Sequence, residues 1–398
     1  MADIIDRNES LGLLEPLLIS ETSKHRGILT DLALELAIKS TALSKSLASG
    51  VAESLSTLVR SMNCYYSNLI EGHDTHPVDI EKALKGDYSE NPSQRNLQLE
   101  AKAHISVQSW IDEGGLQSRA SSNFGVQEIH RRFCELLPEE LLLVEDPESK
   151  ERFKVVPGEF RHKDVKVGAH VPVSPGSINR FMDRFEGAYR SLGKTDKILS
   201  AASAHHRFLY IHPFLDGNGR VARLMSYAIL KDPLDTDGIW SIARGLARNE
   251  STYKNHLSAC DQKRRNDLDG RGHLSEESLV NFTKFFLETC IDQVNFMEKL
   301  VQPERLKSRI LSWANIEFEQ GFLPPHSKEI IEAILYRGQL SKTDAQQVIG
   351  KTERQTRRVV SALLDIGILT SKDIRSPLKL AFPAALASDW MPGLFPDK

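Results

Sequence analysis

The chain is poor in cysteine. Its four cysteines, Cys64, Cys134, Cys260 and Cys290, are far apart and form no CxxC pair, so the sequence signals neither a zinc site nor a disulfide framework. Four reduced thiols in a reducing compartment is the reading that remains. It also lacks an apolar run long enough to span a bilayer, and the acidic start MADIIDRNESLG has no charged-then-apolar leader. A cytoplasmic protein with no membrane partner is therefore expected. Strong charge of either sign is missing too: the formal net charge is −3, so any nucleic-acid contact must be local. No internal repeat or low-complexity tract occurs. What is present is 398 residues of ordinary globular composition, too long for one compact core and suited to two or three domains.

Helical periodicity dominates. From about Thr30 to Gly72 the chain reads as a helix, with Leu55, Leu58, Val59, Met62, Tyr66 and Leu69 three and four residues apart. Gly72 and Pro77 end it. Residues 78 to 135 again read as helices, with a turn at Gly114-Gly115. Between Val165 and Val173 apolar and polar residues alternate around Gly168, which predicts a hairpin closed by Pro172 and Pro175, the best strand candidate in the first three hundred residues. A helix then runs from Ile198 to a break at His212-Pro213, and another follows Gly217-Asn218-Gly219. Residues 240 to 300 read as helical around a polar stretch at 267 to 272. With Gly270 in the glycine position of a calcium loop, the first ligand position falls on Arg265, so we reject a calcium site there and expect a capped turn. After Gln302-Pro303, helical stretches near 327–337, 341–350 and 352–365 precede an extended segment, a helix-turn-helix with a wing.

The chemistry concentrates in residues 212 to 223, HPFLDGNGRVAR. Glycines around an asparagine let the backbone turn sharply and aim N–H groups outward at a helix start, which is a phosphate cradle. Arg220 and Arg223, three apart, add two permanent cations for a polyphosphate. Asp216 is a carboxylate whose natural partner is magnesium bound jointly with substrate phosphates. His212 titrates near physiological pH and can take the proton of an attacking hydroxyl. Mg–ATP is the natural occupant, and in-line displacement at phosphorus the reaction class. His205 and His206 invite a metal reading with His212, but His205 falls on an apolar face and is better read as a core histidine.

The same loop resembles, without a departure, the Fic-family signature HxFx(D/E)GNGRxxR. Eight fixed positions would match by chance on the order of once in 10^10 starting points. The resemblance implies a mainly α Fic-type helical bundle with a β-hairpin flap. It also implies a protein adenylyltransferase, a nucleotidyltransferase moving AMP from ATP onto a Ser, Thr or Tyr hydroxyl of a target protein. It gives His212 as base, Asp216 on Mg2+, Gly217, Asn218, Gly219 and Arg220 around the α- and β-phosphates, and Arg223 toward the γ-phosphate. Glycine at 219, where the related kinase branch has lysine, favours AMP transfer. Ser67-Asn68-Leu69-Ile70-Glu71-Gly72 resembles the family's inhibitory sequence (S/T)xxxE(G/N), in the class with an N-terminal inhibitory helix. Ser67 and Glu71 share one helical face, and Glu71 could form a bidentate pair with Arg223. The segment with Val165, Val167 and Gly168 resembles the flap that binds the target by strand addition. In the C-terminal winged helix, Lys351, Arg354, Arg357 and Arg358 fall on the third helix, leaving DNA contact, protein contact and a homodimer open.

The expected division is 1–110 for an N-terminal helical region with the inhibitory helix, 111–300 for the Fic core and 301–398 for the winged helix. Two rival readings stand beside AMP transfer. One is a hydrolase in which Glu71 orients water to remove AMP from a modified target; the other is a transcription regulator whose Fic core only senses nucleotide.

Overall fold

The computed structural model describes residues 4–146, 150–234, 236, 238–373 and 375–396. An amino-terminal strap lies along the surface, fixed by Glu9, whose carboxylate accepts from the backbone of Ser174 at 2.8 Å, and by buried Arg207, whose guanidinium donates to Pro16 O at 2.8 Å. Two helices follow where one was expected: α1, Arg26–Lys45, and α2, Ser49–Ile70. The chain breaks at 46–48, with Ala48 extended at ψ 138°. Just beyond, Gly50 sits against the backbone of Gly338, where an added Cβ would lie 2.1 Å from the carbonyl oxygen.

Helix α2 is about 33 Å long at 1.5 Å per residue and is buried on nearly every side, its polar members included: Ser56, Ser61, Asn63, Ser67 and Asn68. A buried polar helix needs partners. Asn63 Nδ2 donates to Gln108 Oε1 at 2.6 Å, and Ser241 Oγ donates to Asn63 Oδ1. The helix closes at Gly72, φ +83°, with His73 N donating back to Asn68 O at 2.9 Å, the left-handed ending that glycine permits.

Around it stand α3, Pro77–Leu84, α4, Pro92–Asp112, and α5, Asn123–Cys134. A short ladder then pairs β1, Leu143–Glu145, with β2, Arg152–Lys154, in antiparallel register with Val144 opposite Phe153. Next come α6, Ile178–Tyr189, and the pair that frames the signature loop, α7, Lys194–Ile211, and α8, Asn218–Leu234. Then follow α9, Ala243–Arg248, α10, Glu250–Cys260, and α11, Glu276–Val301, which packs along α1. Ahead of α11, the carboxylate of Asp269 accepts from Glu277 N at 2.8 Å and Ser275 Oγ at 3.0 Å, a capped turn.

The predicted hairpin at 165–173 is not a pair of strands. It is a turn closed by one bridge, in which Val167 and His170 exchange backbone hydrogen bonds of 3.0 Å across Gly168 at φ +60°. Prolines 172 and 175 bring no N–H to a ladder, and the carbonyls of Lys163 and Val173 are taken by the Arg161 guanidinium at 2.7 and 2.6 Å. The β1–β2 ladder was not expected, because its strands are only three residues long and carry charged residues.

A further unpredicted helix, α12, Pro303–Glu319, continues almost directly from α11. Beyond it the three short helices fall close to expectation: α13, Ser327–Arg337, α14, Lys342–Ile349, and α15, Glu353–Asp365. A two-residue ladder follows, β3, Leu369–Thr370, with β4, Lys379–Leu380, and then α16, Ala387–Trp390. This segment docks on the amino-terminal helices: Lys379 pairs with Glu53 of α2, and Ala384 N donates to Glu81 Oε2 of α3 at 2.7 Å. All four cysteines are free and buried. Among the described residues no helix is long and apolar enough to cross a membrane.

Candidate active site

The loop between α7 and α8 begins on a backbone exception. His212 caps α7 in the left-handed conformation, φ 51° and ψ 62°, a region that residues other than glycine seldom occupy. Three contacts impose it. His212 N donates to Phe208 O at 2.9 Å, Arg161 Nε donates to His212 O at 2.8 Å, and Arg161 N donates to Pro213 O at 2.8 Å. Phe214 is fully buried and stacks on His130, ring centroids 3.9 Å apart and planes within 3°. Asn218 closes the loop on itself: its Oδ1 accepts from Phe214 N at 3.0 Å and its Nδ2 donates to Phe214 O at 2.8 Å. Asn218 is also the first residue of α8, so the loop runs directly into a helix N-terminus, the end whose N–H groups and dipole favour an anion.

Of the two loop glycines, only Gly217 uses a positive φ, +80°. Gly219 lies within α8 for a different reason: a Cβ there would come 2.4 Å from Glu71 Oε1. The absence of a side chain at 219 makes room for the carboxylate of α2.

That carboxylate meets Arg223. The guanidinium is buried and divides its donors: Nε to Ser67 Oγ at 2.8 Å, Nη2 to Ser67 O at 3.1 Å, and Nη2 also to Glu71 Oε1. The expected bidentate pair is therefore corrected to a three-point clasp, because Ser67, one turn earlier on the same face, takes half of the fork. Burial acts to raise the Glu71 pKa, but the positive charges of Arg223 and Arg220 outweigh it and hold the carboxyl below its ordinary value. Glu71 stays ionised while a third of its side chain remains open to solvent.

Arg220 was expected among the phosphates. Its guanidinium is paired with Glu100 of α4, both side chains 7% exposed, while His73 Nδ1 lies 3.1 Å from its Nη2 and the ring of Phe133 lies 5.3 Å beneath. Its Nε is buried without a partner. Asp216 is exposed. Among the described residues no three His, Cys, Asp or Glu side chains gather to hold a metal.

His212 differs electrostatically from a solvated histidine. Burial, then the nearby Arg161 and His170, lowers its pKa to about 3, with the carbonyl of Leu209 opposing. The imidazole is neutral at any physiological pH. His205 is a satisfied core residue, with Ser226 Oγ at 2.8 Å and Tyr253 Oη at 2.6 Å. The turn carrying Val165, Val167 and Gly168 lies beside the loop, joined through Arg161, and its Val167 and Val171 are 44% and 63% exposed. His73, Glu100, His130 and Arg161 in its clamping role were not singled out from sequence. The contacts that bring them to the site span 27 to 147 residues, and no local pattern marks them.

The segment around this loop matches a known family. Residues 124–230 match the model of the Fic/DOC family. The chain carries a Fic domain. Over 75 residues it is 43% identical to proteins named "Protein adenylyltransferase Fic" from Drosophila erecta and from Culex quinquefasciatus. The match takes in 18% of this chain and 15% of each of those relatives. In three dimensions the whole chain resembles a Fic family protein from Desulfovibrio desulfuricans G20, at 14% identity and a TM-score of 0.52, covering 92% of this chain and 98% of that one. A Fic domain containing signaling protein from Bacteroides thetaiotaomicron VPI-5482 aligns at 19% identity and a TM-score of 0.50, covering 67% and 96%. The fold is mainly helical and of the Fic type. The Fic domain alone does not contain the whole site: Ser67, Glu71, His73 and Glu100 all precede it.

Proposed function

We propose that this protein transfers AMP from ATP to a hydroxyl of another protein and is held at rest by Glu71. The observation that carries this reading is the meeting of an intact signature loop with Ser67 and Glu71 on Arg223. A target hydroxyl oxygen attacks the α-phosphorus, the bond from that phosphorus to the β-phosphate oxygen breaks, and pyrophosphate departs with the electron pair. His212, held neutral, takes the hydroxyl proton. The α8 N-terminus, Gly217 and Asn218 would receive the α- and β-phosphates with Arg220, and Arg223 the γ-phosphate once Glu71 lets go. Asp216 is the residue that would hold Mg2+, which when bound offsets charge on the phosphates. The turn at 165–171, with Val167 and Val171 exposed and Arg161 joining it to His212, would present the target segment. Incubation with α-labelled ATP and magnesium in a cell lysate tests the reading. Covalent AMP on protein is expected, and the absence of label on any protein would overturn the reading and leave the hydrolase and the nucleotide sensor.

The low pKa of His212 gives a pH prediction. A lowered pKa means the base form is complete well below neutrality, so protonation of His212 cannot remove activity near its ordinary value. The kcat/KM for AMP transfer, which reports the free enzyme, is expected to stay flat from about pH 7.5 down to about pH 5.5. Loss of half the rate near pH 6.5 would place the essential base elsewhere.

For the C-terminal segment we propose a winged helix that contacts duplex DNA. What supports it is a face of α15 and its approach on which Lys351, Arg354 and Arg358 are exposed and, among the described residues, unpaired, while the apolar side of α15 buries Val359, Val360 and Leu363. Arg357 is engaged by Glu353 at 2.6 Å. Arg354→Ala with Arg358→Ala should therefore weaken duplex binding and flatten its salt dependence by about two units of log–log slope. Failure of any duplex to bind in low salt would leave the face to a protein partner.

A further inference from the structure

The turn that carries Glu71 reaches both arginines of the signature loop. Glu71 closes on Arg223. Two residues later His73 Nδ1 lies 2.6 Å from Glu100 Oε2, and Glu100 is the ion-pair partner of Arg220. The same backbone turn, locked by Gly72, is thus tied to α2 at one end and to α4 at the other. With Asp216 added, the site holds two fixed cations against three carboxylates. A polyphosphate arriving at the α8 N-terminus meets arginines already neutralised.

We propose that Glu100 is a second acidic brake, competing with nucleotide phosphate for Arg220 as Glu71 competes for Arg223, and that His73 fastens the two together. The inference rests on the nucleotide site described under Proposed function and adds its regulation. A purely structural Arg–Glu pair is the alternative. It would be expected to satisfy the rest of the guanidinium, since a buried ion pair is favourable only when its remaining protons are hydrogen-bonded. Arg220 Nε is buried and unpartnered, a donor still lacking the acceptor that a phosphate oxygen would supply. The two brakes also differ in reach. A third of the Glu71 side chain faces solvent and can be withdrawn by an approaching partner, whereas Glu100 is almost wholly enclosed and yields only to a ligand inside the site. Glu100 therefore sets nucleotide affinity and Glu71 sets turnover.

ADP separates the two, because it lacks the γ-phosphate assigned to Arg223, so release of Glu71 cannot account for a change in its binding. Calorimetric titration of the full chain with ADP is expected to give a Kd at least about five-fold lower in Glu100→Gln than in the wild type, the amide keeping shape while removing the competing charge. His73→Ala, at a half-exposed position that folding tolerates, should tighten ADP about two-fold by loosening the fastening. It keeps the proposal testable if Glu100→Gln does not fold. An unchanged or weaker Kd in the folded variants overturns the second brake and makes Glu100 a holder of Arg220. Absence of nucleotide binding in wild type and variants alike overturns the nucleotide site itself.

Discussion

Replacing His212 by alanine is expected to lower AMP transfer by about 10^2 to 10^4 while ATP binding stays nearly unchanged, the range for loss of a positioned general base. The geometry limits side effects. The contacts fixing this residue run through its backbone, from Phe208 O and Arg161, so truncating the imidazole leaves the loop anchored. Alanine is tolerated less well than histidine in the left-handed conformation at φ 51°, a region in which histidine, asparagine and aspartate are enriched. Asparagine tolerates that region better, and His212→Asn should match alanine in rate while melting closer to wild type. Single-turnover measurement of labelled AMP on the target, beside an ATP titration, separates the two effects. A wild-type rate in both variants would remove His212 from the proton transfer. A parallel loss of ATP affinity would make it a loop residue rather than a base.

How much of this site could be read from the chain depended on whether its parts were local. The loop from His212 to Arg223 is one contiguous segment whose chemistry is written in order, and the Ser67 and Glu71 pair needs only the helical period to bring both onto one face. The helices with clean spacing were legible for the same reason. What failed was tertiary. The break between α1 and α2 was missed, and just after it Gly50 meets the backbone of Gly338, a contact across nearly three hundred residues that no local propensity announces. The expected strands at 165–173 shrink to the single Val167–His170 bridge, and at their far end a buried arginine, not a neighbouring strand, takes the carbonyl of Val173. Gly219 was read as a turn glycine, yet it is helical and is small to admit Glu71. The ion pair of Arg220 with Glu100 of α4 was likewise not foreseen, because nothing in the sequence places the two together. Only α12 was legible and overlooked: Leu306, Ile310 and Ala314 recur every fourth residue and are its buried face.

Glu71→Gly is expected to raise AMP transfer, including self-modification, ten-fold or more, about 1.4 kcal/mol of released competition. The position tolerates the change: Glu71 is the residue just past α2, at φ −85° and ψ 1°, so glycine removes the carboxylate without breaking the helix. Ser67 remains, and its hydroxyl and carbonyl still take Arg223 Nε and Nη2. The guanidinium therefore keeps its place but regains the donor that Glu71 occupied, now open to the γ-phosphate. A triphosphate seated on that donor is drawn along the site, which sets the α-phosphorus in line with the target hydroxyl, and alignment of this kind is where most of the rate lies. Because the gain runs through one side chain, adding Arg223→Ala to Glu71→Gly should abolish it. Ser67→Ala alone should give a smaller rise, since it loosens the brace while leaving the charge. Transfer no faster in Glu71→Gly, together with loss of AMP removal from a pre-modified protein, would instead assign Glu71 to orienting water. The solvent-open third of its side chain would then be the route by which that water enters.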